Sequence, residues 1–198
     1  GLLPVRSTER AFTTAASFRR HVQKVLVPHL EQFPDADPLD DMSHLPMVQL
    51  PAEVLAKWPA VTADLDLSAL PIDHSVEPAP VQGGHRAARK VLASFIDGAL
   101  GLYGAGRNHP DDDASSGLSP YLHFGHISAH QVFARVADQQ LWDLHLHRDP
   151  TGKREGWWGM SPPAEAFLDE LVTWRELALN GAAHLPDHDS LAGNPAWA

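Results

Sequence analysis

The stretch Ser115-Ser116-Gly117-Leu118-Ser119-Pro120-Tyr121-Leu122-His123-Phe124-Gly125-His126-Ile127-Ser128 decides how the rest of the chain is read. It holds two helix starts in close succession. Ser119-Pro120 pairs a capping residue with a proline whose missing N–H is no loss in a first helical turn. Ser128, followed three residues later by Gln131, gives a capping-box signal for a helix carrying Val132, Phe133 and Val136. The hydroxyls of Ser115, Ser116 and Ser119 crowd around the first start. At a helix N-terminus such groups join free backbone N–H donors, an arrangement suited to a diphosphate as well as to ordinary capping.

Working outward, Gly83-Gly84 opens an amphipathic helix with Ala88, Val91, Leu92, Phe95, Ala99 and Leu102 on one stripe and Tyr103 at its end. Gly104, Gly106, Asn108 and Pro110 break it, and Asp111 to Asp113 continue as an acidic loop. Downstream, a polar stretch from Gln139 to Gly159 precedes Ser161-Pro162, a further helix start. Phe167, Leu168, Leu171, Trp174 and Leu177 then mark a buried stripe that ends near Asn180-Gly181. That stripe places Trp174 in the core. Glu170 and Trp174 stand four apart and project from one side of a single α-helix, where a carboxyl beside an indole suits a planar base.

The opening residues read as a short extended piece, Leu2 to Val5, and a helix that buries Ala15, Phe18, Val22 and Val25. Arg6, Arg10, Arg19, Arg20 and Lys24 cluster in this segment, either as a solvated helix face or as a local basic patch. From Phe33 to Pro80 prolines recur too often for long regular elements, leaving a linker with one short helix at Ala52 to Lys57.

Composition bounds the function. The 198 residues are 43% apolar, enough for a packed core, and contain no cysteine, which excludes disulfides, thiolate metal sites and thiol redox chemistry. No leader-like or membrane-length apolar run is present, and a cytoplasmic protein is expected. The formal net charge of −10 argues against general attraction to a polyanion, so nucleic-acid binding requires a local basic face. Thirteen histidines include His123, His126 and His130, but Gly125 and Ser128 interrupt any one helix through them and no metal site is assembled. Trp157-Trp158 between two glycines reads as a packing plug rather than a relay and is left without a role.

Arg107-Asn108-His109-Pro110, the 115–128 stretch, and Phe167-Leu168-Asp169-Glu170-Leu171-Val172-Thr173-Trp174-Arg175-Glu176-Leu177 followed by Asn180 together resemble the DNA photolyase and cryptochrome family. The Arg-Asn-x-Pro lead-in is similar to its class II branch. The resemblance implies a mainly α fold: residues 1–33 as the end of the family's α/β antenna domain, 34–82 as a proline-rich interdomain linker, and 83–198 as the N-terminal half of the helical FAD-binding domain. It implies that Ser115, Ser116, Gly117, Leu118 and Ser119 hold the FAD diphosphate, with Ser115 standing where the family has threonine. Tyr103 would line the cofactor, and Arg175 and Asn180 would lie beside the pocket. Glu170 would be the catalytic group, hydrogen-bonded to a pyrimidine dimer flipped out of DNA, with Trp174 packed on it and Arg107 and Asn108 close by.

The activity so implied is light-driven, FAD-dependent splitting of cyclobutane dimers, a carbon–carbon lyase reaction. The chain stops before the family's segments that embrace the isoalloxazine and adenine, and almost all of the antenna domain is absent. No antenna chromophore is expected, activity of the chain by itself is open, and apolar faces left by truncation suggest self-association. A cryptochrome-like photoreceptor and a non-catalytic helical remnant binding neither flavin nor DNA are the alternatives.

Overall fold

The computed structural model describes residues 1–35, 37, 39–59, 68 and 70–193. The terminal Pro195-Ala196-Trp197-Ala198 segment and part of the proline-rich stretch lie outside the described residues. The described chain divides into two compact units, Gly1–Pro34 with Gly83–Ala198, and Asp35–Gln82.

In the larger unit, helices α1 (Ala15–Val25), α2 (Val27–Leu30), α4 (His85–Ser94), α5 (Tyr103–Gly106), α6 (Ser119–His123), α7 (Ala129–Gln139), α8 (Pro162–Leu168) and α9 (Arg175–His184) surround one core. Phe18, Leu26, Leu92, Phe95, Leu118, Val132, Val136, Phe167, Leu168 and Val172 are buried in it. The local signals explain most of these elements. Ser128 caps α7 in a full capping box with Gln131, and Ser161 precedes the proline that opens α8. Thr14 caps α1 by accepting from the Ser17 N–H.

Two helical stripes break where the backbone switches to π-helical turns, at Phe95–Ala99 and at Asp169–Trp174. A π-turn bonds residue i to i+5, so the surface repeat of an α-helix slips there. Beyond the first turn Leu100 is buried and Leu102 is exposed; at the end of the second Trp174 emerges 48% exposed. Ala99 and Leu177 still pack half-buried against the core, so the stripes fail only at Leu102 and Trp174, and Trp174 is not a core residue.

The opening segment corrects the expectation of an α/β remnant. Among the described residues there is no β-strand. Leu2 and Leu3 are buried, and a single 3-10 turn follows at Val5–Ser7. The physical reason lies in where the backbone donors go: Pro4 has none, the Leu2 N–H donates to the Glu176 carboxylate at 2.5 Å, and the Phe12 N–H donates to Asn180 Oδ1 at 2.9 Å. Side chains of α9 take the place of a partner strand.

The loop before α8 is held the same way. The buried Glu165 carboxylate accepts from the N–H groups of Gly156, Gly159 and Met160. Gln23 of α1 accepts from Thr151 and Gly152 and donates to the Lys153 carbonyl. This fixes Trp157 and Trp158 as buried wedges, with the Trp158 ring packed on Trp157, Phe133 and Trp142 at centroid distances of 4.6, 5.3 and 5.6 Å.

The smaller unit has α3 (Ala52–Lys57) and short turns such as that at Asp73, whose carboxylate accepts from the Ser75 N–H at 2.9 Å. Its described residues are exposed apart from the half-buried Val54.

Candidate functional site

An open cleft of about 640 Å³ lies between the α5, α6 and α8–α9 segments. Tyr103, Ser116, Ser119, Pro120, Leu122, His123, Phe167, Glu170, Leu171 and Arg175 line it. Each wall has a local cause. Gly117 adopts a left-handed φ of +63°, with Val91 only 3.4 Å from where a Cβ would sit, and this tight turn brings Ser116 and Ser119 to the same side. Leu118 between them is wholly buried and anchors the turn. The Leu118 N–H donates to Ser116 Oγ at 3.3 Å, which leaves the Ser116 hydroxyl proton free to donate outward.

The helix this turn opens is short. It begins at Ser119 rather than after it, with Leu118 as the capping residue, and runs only to His123. Five residues align few peptide dipoles, so the hydroxyls and neighbouring cations, rather than a long helix dipole, supply any affinity for an anion here.

On the opposite wall the π-turn Asp169–Trp174 sends its residues in different directions. Asp169 is buried in a bidentate pair with Arg19 of α1, at 2.7 and 2.9 Å. Glu170 turns to the cleft and accepts from Arg107 at 2.7 Å. The Arg107 guanidinium also lies 5.3 Å from the Tyr103 ring centroid. Burial opposes the Arg107 charge, yet its hydrogen bonds to Tyr103 and Glu170 prevail and hold it more firmly protonated than usual. Burial likewise raises the Tyr103 phenol above its ordinary value, so it remains a neutral O–H.

Arg175, first residue of α9, completes the wall. Its Nε is buried and has no hydrogen-bond partner. A buried donor left open costs free energy unless something accepts from it. With the Ser116 and Ser119 hydroxyls beside it, and the cleft's lone carboxylate tied to Arg107, the lining is rich in donors and short of acceptors, which fits a phosphate-bearing group.

Of the residues singled out in the sequence, Tyr103, Ser116, Ser119, Glu170 and Arg175 thus converge on one cleft, with Arg107 bonded to its edge. Gly117 and Leu118 shape the turn. Ser115, Asn108 and Trp174 are exposed and outside the lining. Asn180 is buried away from it, accepting from the Phe12 N–H and donating to Thr8 Oγ1 at 2.8 Å and the Arg10 carbonyl at 2.9 Å. His123 and Leu122 line the cleft without having been anticipated; their place after Pro120 on α6 was the available signal. Among the described residues no three acidic or histidine side chains are grouped to hold a metal, and His126 instead accepts from the Gly84 N–H. No helix among them is long and apolar enough to cross a membrane.

No family model matches this chain. It is 35% identical over 193 residues to a deoxyribodipyrimidine photo-lyase of Oryza sativa subsp. japonica, an alignment covering 93% of this chain and 32% of that protein. It is 32% identical over 132 residues to the deoxyribodipyrimidine photo-lyase of Potorous tridactylus, covering 66% of this chain and 22% of the relative. A shorter stretch of 52 residues is 42% identical to cryptochrome-1 of Arabidopsis thaliana, covering 26% and 8%. The chain thus spans about a third or less of the curated relatives it matches. These matches show family-level homology to the deoxyribodipyrimidine photo-lyase and cryptochrome proteins.

Proposed function

We propose that this chain forms part of a class II-like flavoenzyme that repairs cyclobutane pyrimidine dimers in DNA with light. The observation that carries the reading is the convergence of Tyr103, Ser116, Ser119, Glu170 and Arg175 on a single donor-rich cleft. Ser116, Ser119 and Arg175 would hold the FAD diphosphate, their open donors meeting its oxygens. Tyr103, neutral and backed by Phe95 and Phe167, offers a rigid aromatic wall. When bound, FAD supplies photoinduced electron donation, chemistry that no side chain can provide.

The protein's own part is positioning. Arg107 fixes the direction of the Glu170 carboxylate, which in turn accepts hydrogen bonds from a pyrimidine base brought to the cleft. Trp174, half exposed one turn away from Glu170, is available for stacking by a base outside the cleft lining. Homology to proteins named photo-lyases supports damaged DNA as the partner. The shared stretch with cryptochrome-1 favours a second reading, a flavin photoreceptor without repair.

Illumination separates the two. The chain reconstituted with reduced FAD and mixed with a dimer-containing oligonucleotide should restore intact thymines in light and not in darkness. Glu170→Gln should slow this about tenfold, the effect of about 1.4 kcal/mol in the transition state. Retained flavin with no light-dependent splitting would select the photoreceptor reading.

A further inference from the structure

A second groove of about 510 Å³ lies away from the flavin cleft, between the Ser7 to Phe12 segment and α1. Arg10, Arg20 and Lys24 line it together with Ser7, Thr8, Ser17 and His21, and Glu9 is the single carboxylate among its lining residues. On a chain of net charge −10, three cations gathered around one acid run against the general balance. Among the described residues none of the three stands within ion-pair distance of a carboxylate. The neighbouring Arg19, by contrast, is neutralised by Asp169.

Two further groups in the groove are left open. Ser7 Oγ and His21 Nε2 are buried with no hydrogen-bond partner. The His21 ring packs on Phe12 and Phe18, at 5.1 and 6.4 Å between centroids, so it has little freedom to turn its nitrogen elsewhere. Arg10 lies 4.8 Å over the Phe12 ring, which holds its guanidinium at the rim. Arg20 also donates to the Thr151 carbonyl at 3.2 Å, which does not neutralise its charge. Three cations without a carboxylate partner, an open hydroxyl and an imidazole with an unmet nitrogen ask for the same kind of partner, an anion with several acceptor oxygens.

We infer that this groove binds a phosphate group, through Arg10, Arg20 and Lys24 with Ser7 and His21 as the inner contacts. The phosphate belongs either to a small phosphate ester or to a nucleic-acid backbone, and the groove recognises what the two share. His21 reports occupancy. Its imidazole is held below the ordinary value by burial, then by Arg10 and Lys24; with Arg20 and the single acid Glu9 also lining the groove, a bound dianion reverses the field and moves its titration upward.

Calorimetric titration of the full chain with inorganic pyrophosphate, and separately with a short lesion-free oligothymidylate, tests the site. Pyrophosphate should bind, should shift the His21 imidazole resonances towards the protonated form, and should bind about tenfold more weakly to the Arg10→Ala, Lys24→Ala double variant. Arg135→Ala, on an exposed pair elsewhere, should change nothing. Tighter binding of the oligothymidylate in competition with pyrophosphate would assign the groove to a backbone, and pyrophosphate binding alone to a free ester. Absence of binding by both, or binding indifferent to the double variant with His21 unmoved, overturns the proposal. The His21 resonances and the Arg10→Ala, Lys24→Ala variant report on this groove alone, whose lining shares no residue with the cleft of Ser116, Ser119 and Arg175, which keeps the test distinct from the flavin reading.

Discussion

Arg107 donates to Glu170 at 2.7 Å, joining the loop after α5 to the π-turn that precedes α9. The pair is partly open to solvent, with side chains 19% and 38% exposed. Such a pair adds little to stability, about 0–1 kcal/mol, and its consequence is orientation. Arg107→Ala should leave the denaturation midpoint almost unmoved while weakening binding of dimer-containing DNA. A large loss of stability with unchanged DNA binding would contradict this assignment.

Asp169, the neighbour of Glu170, behaves differently because it is buried with Arg19. Arg19→Ala strands that carboxylate and should cost about 3–5 kcal/mol. The double variant Arg19→Met, Asp169→Leu should recover most of the loss, since it removes both charges. Urea denaturation of the three variants checks the order.

Asn180 spends its amide on the opening segment rather than on the cleft. Asn180→Ala leaves the Phe12 N–H without its acceptor and should cost about 1–3 kcal/mol. Flavin affinity should be unchanged, whereas Arg175→Ala should lower it. Equal effects of the two on flavin retention would place Asn180 in the binding wall after all.

The structure contains opposing pH dependences. Burial holds His130, and burial with Arg10 and Lys24 holds His21, below the ordinary 6.5. The unfolded chain then takes up protons that the folded chain refuses, so stability falls as pH drops below 6.5 and levels off once the folded values are passed. Burial raises Glu176 above its ordinary 4.5, so the folded chain keeps a proton that the unfolded chain has released, and stability falls as pH climbs from 4.5 through the folded value. Denaturation midpoints followed with pH should show the acidic limb flattened in His21→Gln, His130→Gln and the opposite limb flattened in Glu176→Gln.

The helices were legible where their signals are local. The Ser128–Gln131 box, Ser161-Pro162 and the short helix Ala52–Lys57 need only neighbouring residues, and each stands where the sequence places it. Trp174 and Leu102 were misread because a π-turn shifts the repeat without leaving a composition signal. Arg19 looked like a surface charge because its partner lies 150 residues away. Tyr103, Ser116, Ser119, Glu170 and Arg175 could be named from their motifs, but their convergence on one cleft depends on long-range packing that spacing does not reveal.

The central claim is that this cleft grips a flavin diphosphate. The direct measurement is the visible spectrum of the purified chain after incubation with FAD in darkness and removal of free cofactor. The account predicts a retained flavin spectrum that disappears in the Ser116→Ala, Ser119→Ala double variant, with helical content unchanged. A colourless, folded chain, or flavin retained equally by the double variant, would contradict it.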